Sequence, residues 1–181
     1  GIDRAVNELE LRSLQQAVDI EVMHLYQNDG QGGFREVAKQ QNLRYPAQPM
    51  GANFGDLDND GYLDFYLATG DVHYAELRPN VMFLNRGGTG FDNVTMAGGF
   101  GHLQKGHGVS FADIDNDGDA DFFHWGGLGR LVLNQGEKGF EDIRDKLPDL
   151  PTKVSLGASL GDYDGDGFVD IYVGGYEGPG Y

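Results

Sequence analysis

The stretch GANFGDLDNDGYLDFYL (51–67) returns twice, as GVSFADIDNDGDADFFH (108–124) and GASLGDYDGDGFVDIYV (157–173). Each copy holds the same nine-residue core: DLDNDGYLD (56–64), DIDNDGDAD (113–121) and DYDGDGFVD (162–170), or D-x-D-x-D-G-x-x-D. The first aspartates, Asp56, Asp113 and Asp162, are separated by steps of 57 and 49 residues. A second pattern lies out of phase with the first: LYQNDGQGGFREVA (25–38), FLNRGGTGFDNVT (83–95) and VLNQGEKGFEDIR (132–144). Its asparagines, Asn28, Asn85 and Asn134, repeat those steps of 57 and 49. Two unrelated patterns with one spacing establish an internal repeat, and a repeat of this length is one supersecondary unit that buries its faces only by stacking on its neighbours.

Each unit reads as strands. Phe54, Phe111 and Leu160 precede the aspartate loops among small alternating residues, and Phe65/Leu67, Phe122/His124 and Ile171/Val173 follow with period two. In the second pattern an apolar run meets a glycine-rich turn and then a Phe-x-x-Val or Phe-x-x-Ile run, a hairpin signal. About four short strands per unit of this size make one propeller blade. The predicted fold is therefore all-β, a partial β-propeller of about three and a half blades over residues 23–181, truncated relative to a closed ring. A short helix or linker over 1–22 precedes it, with Asp3 as cap and Val6, Leu9, Leu14, Ala17 and Val18 as its apolar stripe.

The loops carry the chemistry. Calcium takes six to eight hard oxygen ligands at about 2.3–2.6 Å, and carboxylates at positions 1, 3 and 5 of a tightly coiled loop converge on one point. Gly61, Gly118 and Gly167 at position 6 allow the turn. The expected ligands are Asp56, Asp58, Asp60, the Tyr62 carbonyl and Asp64; Asp113, Asp115, Asp117, the Asp119 carbonyl and Asp121; and Asp162, Asp164, Asp166, the Phe168 carbonyl and Asp170. Three bound Ca2+ ions are the expected cofactors. A helical EF-hand loop closes with glutamate at position 12, where this chain has Leu67, His124 and Val173. The loops therefore close β-hairpins and do not switch a helix pair.

Charge supports the same reading. The net charge is −16, yet twelve of the 29 acidic residues are positions 1, 3, 5 and 9 of the loops, and the rest nearly balance the 13 bases. Acid so concentrated calls for a cation, and a chain without a basic face is no nucleic-acid binder. There are no cysteines, so neither disulfides nor thiolate metal sites arise. No apolar run is long enough to span a membrane as a helix.

The loops, with F-G or F-A just before them, resemble the FG-GAP/VCBS repeat of integrin α-chain propellers and many exported bacterial proteins. The pattern L-x-N-x-G-x-x-G-F-x-D-V is similar to the subgroup that includes cartilage acidic protein and the ASPIC/UnbV-type proteins. The resemblance covers about residues 25–181. It implies a propeller of about seven blades with calcium in the inter-strand loops, and places the metal on the fifteen positions named above.

The function expected is a calcium-binding scaffold or binding module, extracellular, periplasmic or at the cell surface, with a protein or carbohydrate ligand. Two other classes are the propeller body of a secreted polysaccharide-acting enzyme and a structural subunit of an extracellular assembly that joins other subunits or the rest of a longer chain. No paired acid and base, Walker sequence, H-E-x-x-H or G-x-S-x-G occurs, so no catalytic residue is assigned. His124 on an apolar strand reads as a hydrogen-bonded core residue before it reads as a ligand. His102 and His107 around Lys105 read as a solvated loop, and His73 has no visible partner. Tyr66, Trp125, Tyr172 and Tyr74 read as packing between blades before they read as a sugar-stacking surface.

Overall fold

The computed structural model describes residues 22–47, 49–69, 79–99, 101, 106–125, 129–148 and 155–175. The helix expected within 1–22 lies outside them. The chain divides into two compact units, residues 1–47 and 48–181.

In the first unit, β1 (Tyr26–Asn28) and β2 (Phe34–Glu36) form an antiparallel hairpin. Its turn is closed by side chains of the Asn-Asp pair. Asn28 Oδ1 accepts from the Gly30 amide at 2.7 Å, and Asp29 Oδ1 accepts from those of Gln31 and Gly33 at 2.8 and 2.9 Å. Val37, Ala38 and Leu43 beneath it are buried.

Among the described residues, the second unit holds two four-stranded antiparallel sheets and a two-stranded one. The first sheet runs β3 (Pro49–Gly55), β4 (Asp64–Thr69), β5 (Val81–Asn85), β6 (Phe91–Asn93). The next runs β7 (Gly108–Ala112), β8 (Asp121–Trp125), β9 (Arg130–Asn134), β10 (Phe140–Asp142). A pair, β11 (Ser155–Gly161) and β12 (Asp170–Gly175), follows. These are propeller-like blades of sequentially adjacent strands, as the repeat predicts.

The aspartate loops join β3 to β4, β7 to β8 and β11 to β12, so both strands flanking a loop lie in one sheet. The Asn-Gly turns join the outer strands, β5 to β6 and β9 to β10. The sequence repeat, hairpin first and aspartate loop second, is thus offset by half from the sheets. Each sheet takes its inner pair of strands from one repeat and its outer pair from the next.

Blades stack through their first strands. Asn53 Nδ2 donates to the Val109 carbonyl at 3.1 Å, and Ser110 Oγ to the Ala158 carbonyl at 2.8 Å. The approach requires glycine: a Cβ on Gly51 would fall on the carbonyl oxygen of His107, and one on Gly55 would meet the Phe111 ring at 2.6 Å. Between the first two sheets Leu57, Tyr66, Ala68, Met82, Val109, Phe122 and Val132 form one core. Phe123, Trp125, Leu131, Leu133 and Ile143, with Leu160, Ile171 and Val173 against them, form the next. Each large side chain so buried contributes about 1.5–3 kcal/mol.

This stacking changes one expectation. The period-two reading implies one buried face per strand, but β4 and β8 are buried along their whole length. In β8 the two faces meet two different cores, Phe122 that shared with the first sheet and Phe123 and Trp125 that shared with the third. Phe54 departs the other way: it stands 48% exposed, although its ring packs on Phe65 as that of Phe111 does on Phe122.

Candidate metal centres

The three loops fold alike because their hydrogen bonds repeat. Asp56 Oδ1 accepts from the Asp60 amide at 3.2 Å and Oδ2 from the Gly61 amide at 3.0 Å. Asp113 repeats this with Asp117 and Gly118, both at 3.0 Å, and Asp162 with Asp166 and Gly167 at 3.2 and 2.9 Å. The coil demands left-handed backbone at positions 4 and 6. Gly61, Gly118 and Gly167 have φ of 87°, 95° and 90°, and Asn59, Asn116 and Gly165 have φ of 56°, 60° and 77°. Asparagine and glycine are the residues that adopt this region at least cost.

Position 9 anchors the loop to the sheet. Asp64 is fully buried at the head of β4. Its Oδ2 accepts from the Leu57 amide at 2.8 Å and its Oδ1 from the Asn85 amide at 2.7 Å. Asp121, equally buried, does the same with Ile114 and Asn134, both at 2.7 Å. Asp170 Oδ2 accepts from the Tyr163 amide at 3.0 Å. One carboxylate thus ties its loop to the end of the third strand in each four-stranded sheet, across 21 residues in the first and 13 in the second.

The result is three equivalent carboxylate clusters. Asp56, Asp58 and Asp64 each offer one oxygen, all within 4.8 Å of one another; Asp113, Asp115 and Asp121 do the same, as do Asp162, Asp164 and Asp170. Two oxygens bound to one calcium at about 2.4 Å are separated by at most about 4.8 Å, so these all-oxygen donor sets can hold such an ion. Electrostatics agree. Burial, then the neighbouring Asp60 charge, pushes the Asp58 carboxyl above the usual range. Asp115 is raised by burial and then by Asp117. Asp64 and Asp121 are raised by burial, against the backbone amides they accept from. Asp162 alone is held low, chiefly by the Gly167 amide.

The other predicted site residues are placed differently. The position-5 carboxylates lie outside the clusters of three, each capping the amide two residues on: Asp60 that of Tyr62 at 2.8 Å, Asp117 that of Asp119 and Asp166 that of Phe168, both at 2.9 Å. At position 7 the side chains turn away. Tyr62 lies against the Gly87–Gly88 turn and Phe168 is 63% exposed. The Asp119 carboxylate accepts from Asn59 Nδ2 of the preceding loop at 2.6 Å.

That last bond belongs to a set the sequence reading missed. Asn116 Nδ2 donates to the Gly167 carbonyl at 3.2 Å, so each position-4 asparagine reaches the next loop along. Asn134 Nδ2 donates to the Leu57 carbonyl at 2.7 Å, from the second sheet to the first loop. The signal available was asparagine at position 4 in two loops of three and glycine in the last.

The tempting residues take their plainer roles. His124 is fully buried, with its Nε2 3.1 Å from Asn80 Nδ2 and its ring edge-on to Tyr66. Trp125 and Tyr66 lie in the cores between sheets, but Tyr172, expected to pack between blades, is instead 71% exposed on the last described strand. His73, Tyr74, His102 and Lys105 lie outside the described residues.

Comparison with known proteins closes the question of kinship. The profile of the FG-GAP-like repeat matches residues 17–67 and 69–124. The chain belongs to the FG-GAP-like repeat family. The matched spans begin with the hairpin and end with the strand after the aspartate loop, so the family's repeat has the half-blade offset seen in the sheets. The third loop lies beyond those spans but has the same bonds and the same cluster. Among curated proteins, cartilage acidic protein 1 of Homo sapiens is 35% identical over 100 residues, covering 52% of this chain and 15% of that protein. The Xenopus tropicalis protein of the same name is 31% identical over 109 residues, covering 56% and 17%. The match thus spans about a sixth of the relatives' length. Among the described residues, no helix of this FG-GAP-like chain is long and apolar enough to cross a membrane.

Proposed function

We propose that the chain is a calcium-stabilised binding or scaffold module, exported or at the cell surface, with residues 23–181 as its propeller segment. Each loop holds one calcium through the aspartates at positions 1, 3, 5 and 9 and the carbonyl at position 7. The observation that carries this reading is threefold: the same three carboxylates converge at the same corner of each repeat, and in the first two a buried member asks for a counter-ion. Extracellular calcium is plentiful enough to fill sites of modest affinity, which favours an exported location, as does kinship with a protein named for cartilage. The loops then present a rigid surface to a protein or carbohydrate ligand.

Calcium acts by mass action on the folded state. Each site adds about 2.7 kcal/mol when free calcium is a hundredfold above its dissociation constant, roughly 5–10 °C in Tm for a chain of this size. Titration calorimetry should count three ions, and Tm should rise from EDTA to millimolar calcium. Coincident melts with no measurable uptake of calcium would overturn the proposal.

A further inference from the structure

The first two sheets do not close completely along their outer edge. A groove of ≈ 510 Å³ remains between the first aspartate loop and the turn joining β9 to β10. Its floor is apolar, built from Leu57, Leu84, Val94 and Phe140. Its rim is acidic, with Asp58, Asp119 and Glu137, and among the described residues no lysine, arginine or histidine lines it. Asp58 belongs to the first carboxylate cluster, so the charge left for a ligand is that of Asp119 and Glu137. The Asn59–Asp119 bond at 2.6 Å forms part of the same lining and holds the two walls in register.

We infer that this groove is a binding site for a peptide segment of a partner protein that carries a lysine beside an apolar residue. An unbranched alkyl stem lies on an apolar floor while its ammonium reaches a polar rim, the usual division of labour in a lysine side chain. The volume exceeds one such side chain and falls in the range of sites that enclose ligands, which suits a short segment rather than a single small amine. Three bound calcium ions reduce the charge of −16 to −10, which still attracts basic partners from a distance. The inference rests on the binding-module reading and names the partner's chemistry.

The test uses the whole chain in saturating calcium and a short fluorescent peptide with a central Leu-Lys pair. Its counterpart has norleucine for lysine, and free hexylammonium is the third probe. The lysine peptide should bind about tenfold or more tighter than the norleucine peptide, and its affinity should fall with salt. Glu137→Gln should weaken it severalfold. Ala97→Trp, at an exposed position that lines the groove, should abolish it while calcium uptake stays at the wild-type level. Equal affinity for the lysine and norleucine peptides, unchanged binding by Ala97→Trp, or hexylammonium binding as tightly as the peptide would each overturn the inference. Calcium uptake is measured independently, so a groove that fails on a calcium-loaded chain counts against the groove alone.

Discussion

Asn134 and Asn85 occupy the same repeat position, yet replacing them by alanine should have different consequences. Both backbone amides bond to the position-9 aspartate and survive the change. Both side-chain oxygens accept from a glycine amide in the following turn, Gly88 at 2.8 Å and Gly136 at 3.1 Å, where water can substitute. The difference lies in the amide nitrogens. Asn85 Nδ2 donates to the carbonyl of Leu63, a residue 56% exposed, whereas Asn134 Nδ2 donates to that of Leu57, 5% exposed, across two sheets. A lost bond that water replaces costs about 0.5–1 kcal/mol, and a buried acceptor left without a partner costs about 1–3 kcal/mol. Asn134→Ala should therefore destabilise by about 2–3 kcal/mol and Asn85→Ala by no more than about 1 kcal/mol. At saturating calcium the gap corresponds to roughly 2–8 °C in Tm, and urea midpoints at constant m-value should show the same order. Equal losses for the two variants would refute the claim that the Asn134–Leu57 bond clamps one sheet to the next.

Three further outcomes follow from the same geometry. Gly55→Ala, whose new Cβ meets the Phe111 ring at 2.6 Å, should cost about 1–3 kcal/mol of unfolding free energy by urea denaturation, while Gly161→Ala at the equivalent position meets nothing within 4 Å and should be neutral. His124→Leu copies the residue that the first repeat carries as Leu67, but it deprives buried Asn80 of an acceptor and should lower stability by about 1–3 kcal/mol in the same assay. Asp64 and Asp121 are raised from 3.8 by burial, so without calcium their protonation favours the folded state; that stability is full below the unfolded value and is lost as pH rises through the folded one. With calcium, protons compete with the metal, so the calcium-induced rise in Tm should shrink on acidification, and melts with EDTA and with calcium should converge toward about pH 4.

The repeat, the turns and the loop chemistry were legible because each rests on local rules: glycine or asparagine where φ is positive, and carboxylates at alternate positions. The burial of β8 on both faces was not, because a strand such as DFFHW (121–125) shows its apolar residues but not whether a second sheet covers its other side. Nor was the division among the loop aspartates. The sequence makes Asp60 and Asp64 look equivalent, yet one caps the next turn and the other is sealed beneath the loop. The bonds from Asn59, Asn116 and Asn134 to neighbouring blades depend on how blades are rotated against one another, which no single repeat encodes.

The half-unit stagger between repeat and sheet has a consequence for how such a chain can grow and fail. Masonry laid in running bond resists losing one brick because every brick is overlapped by the courses on either side. Here the segment that supplies the inner strands of one blade follows directly on the pair that completes the blade before it. Tearing out one repeat therefore breaches two sheets at once, and damage spreads to its neighbours. Copying one whole repeat into the gene, whatever the cut point, restores both seams without leaving an exposed edge.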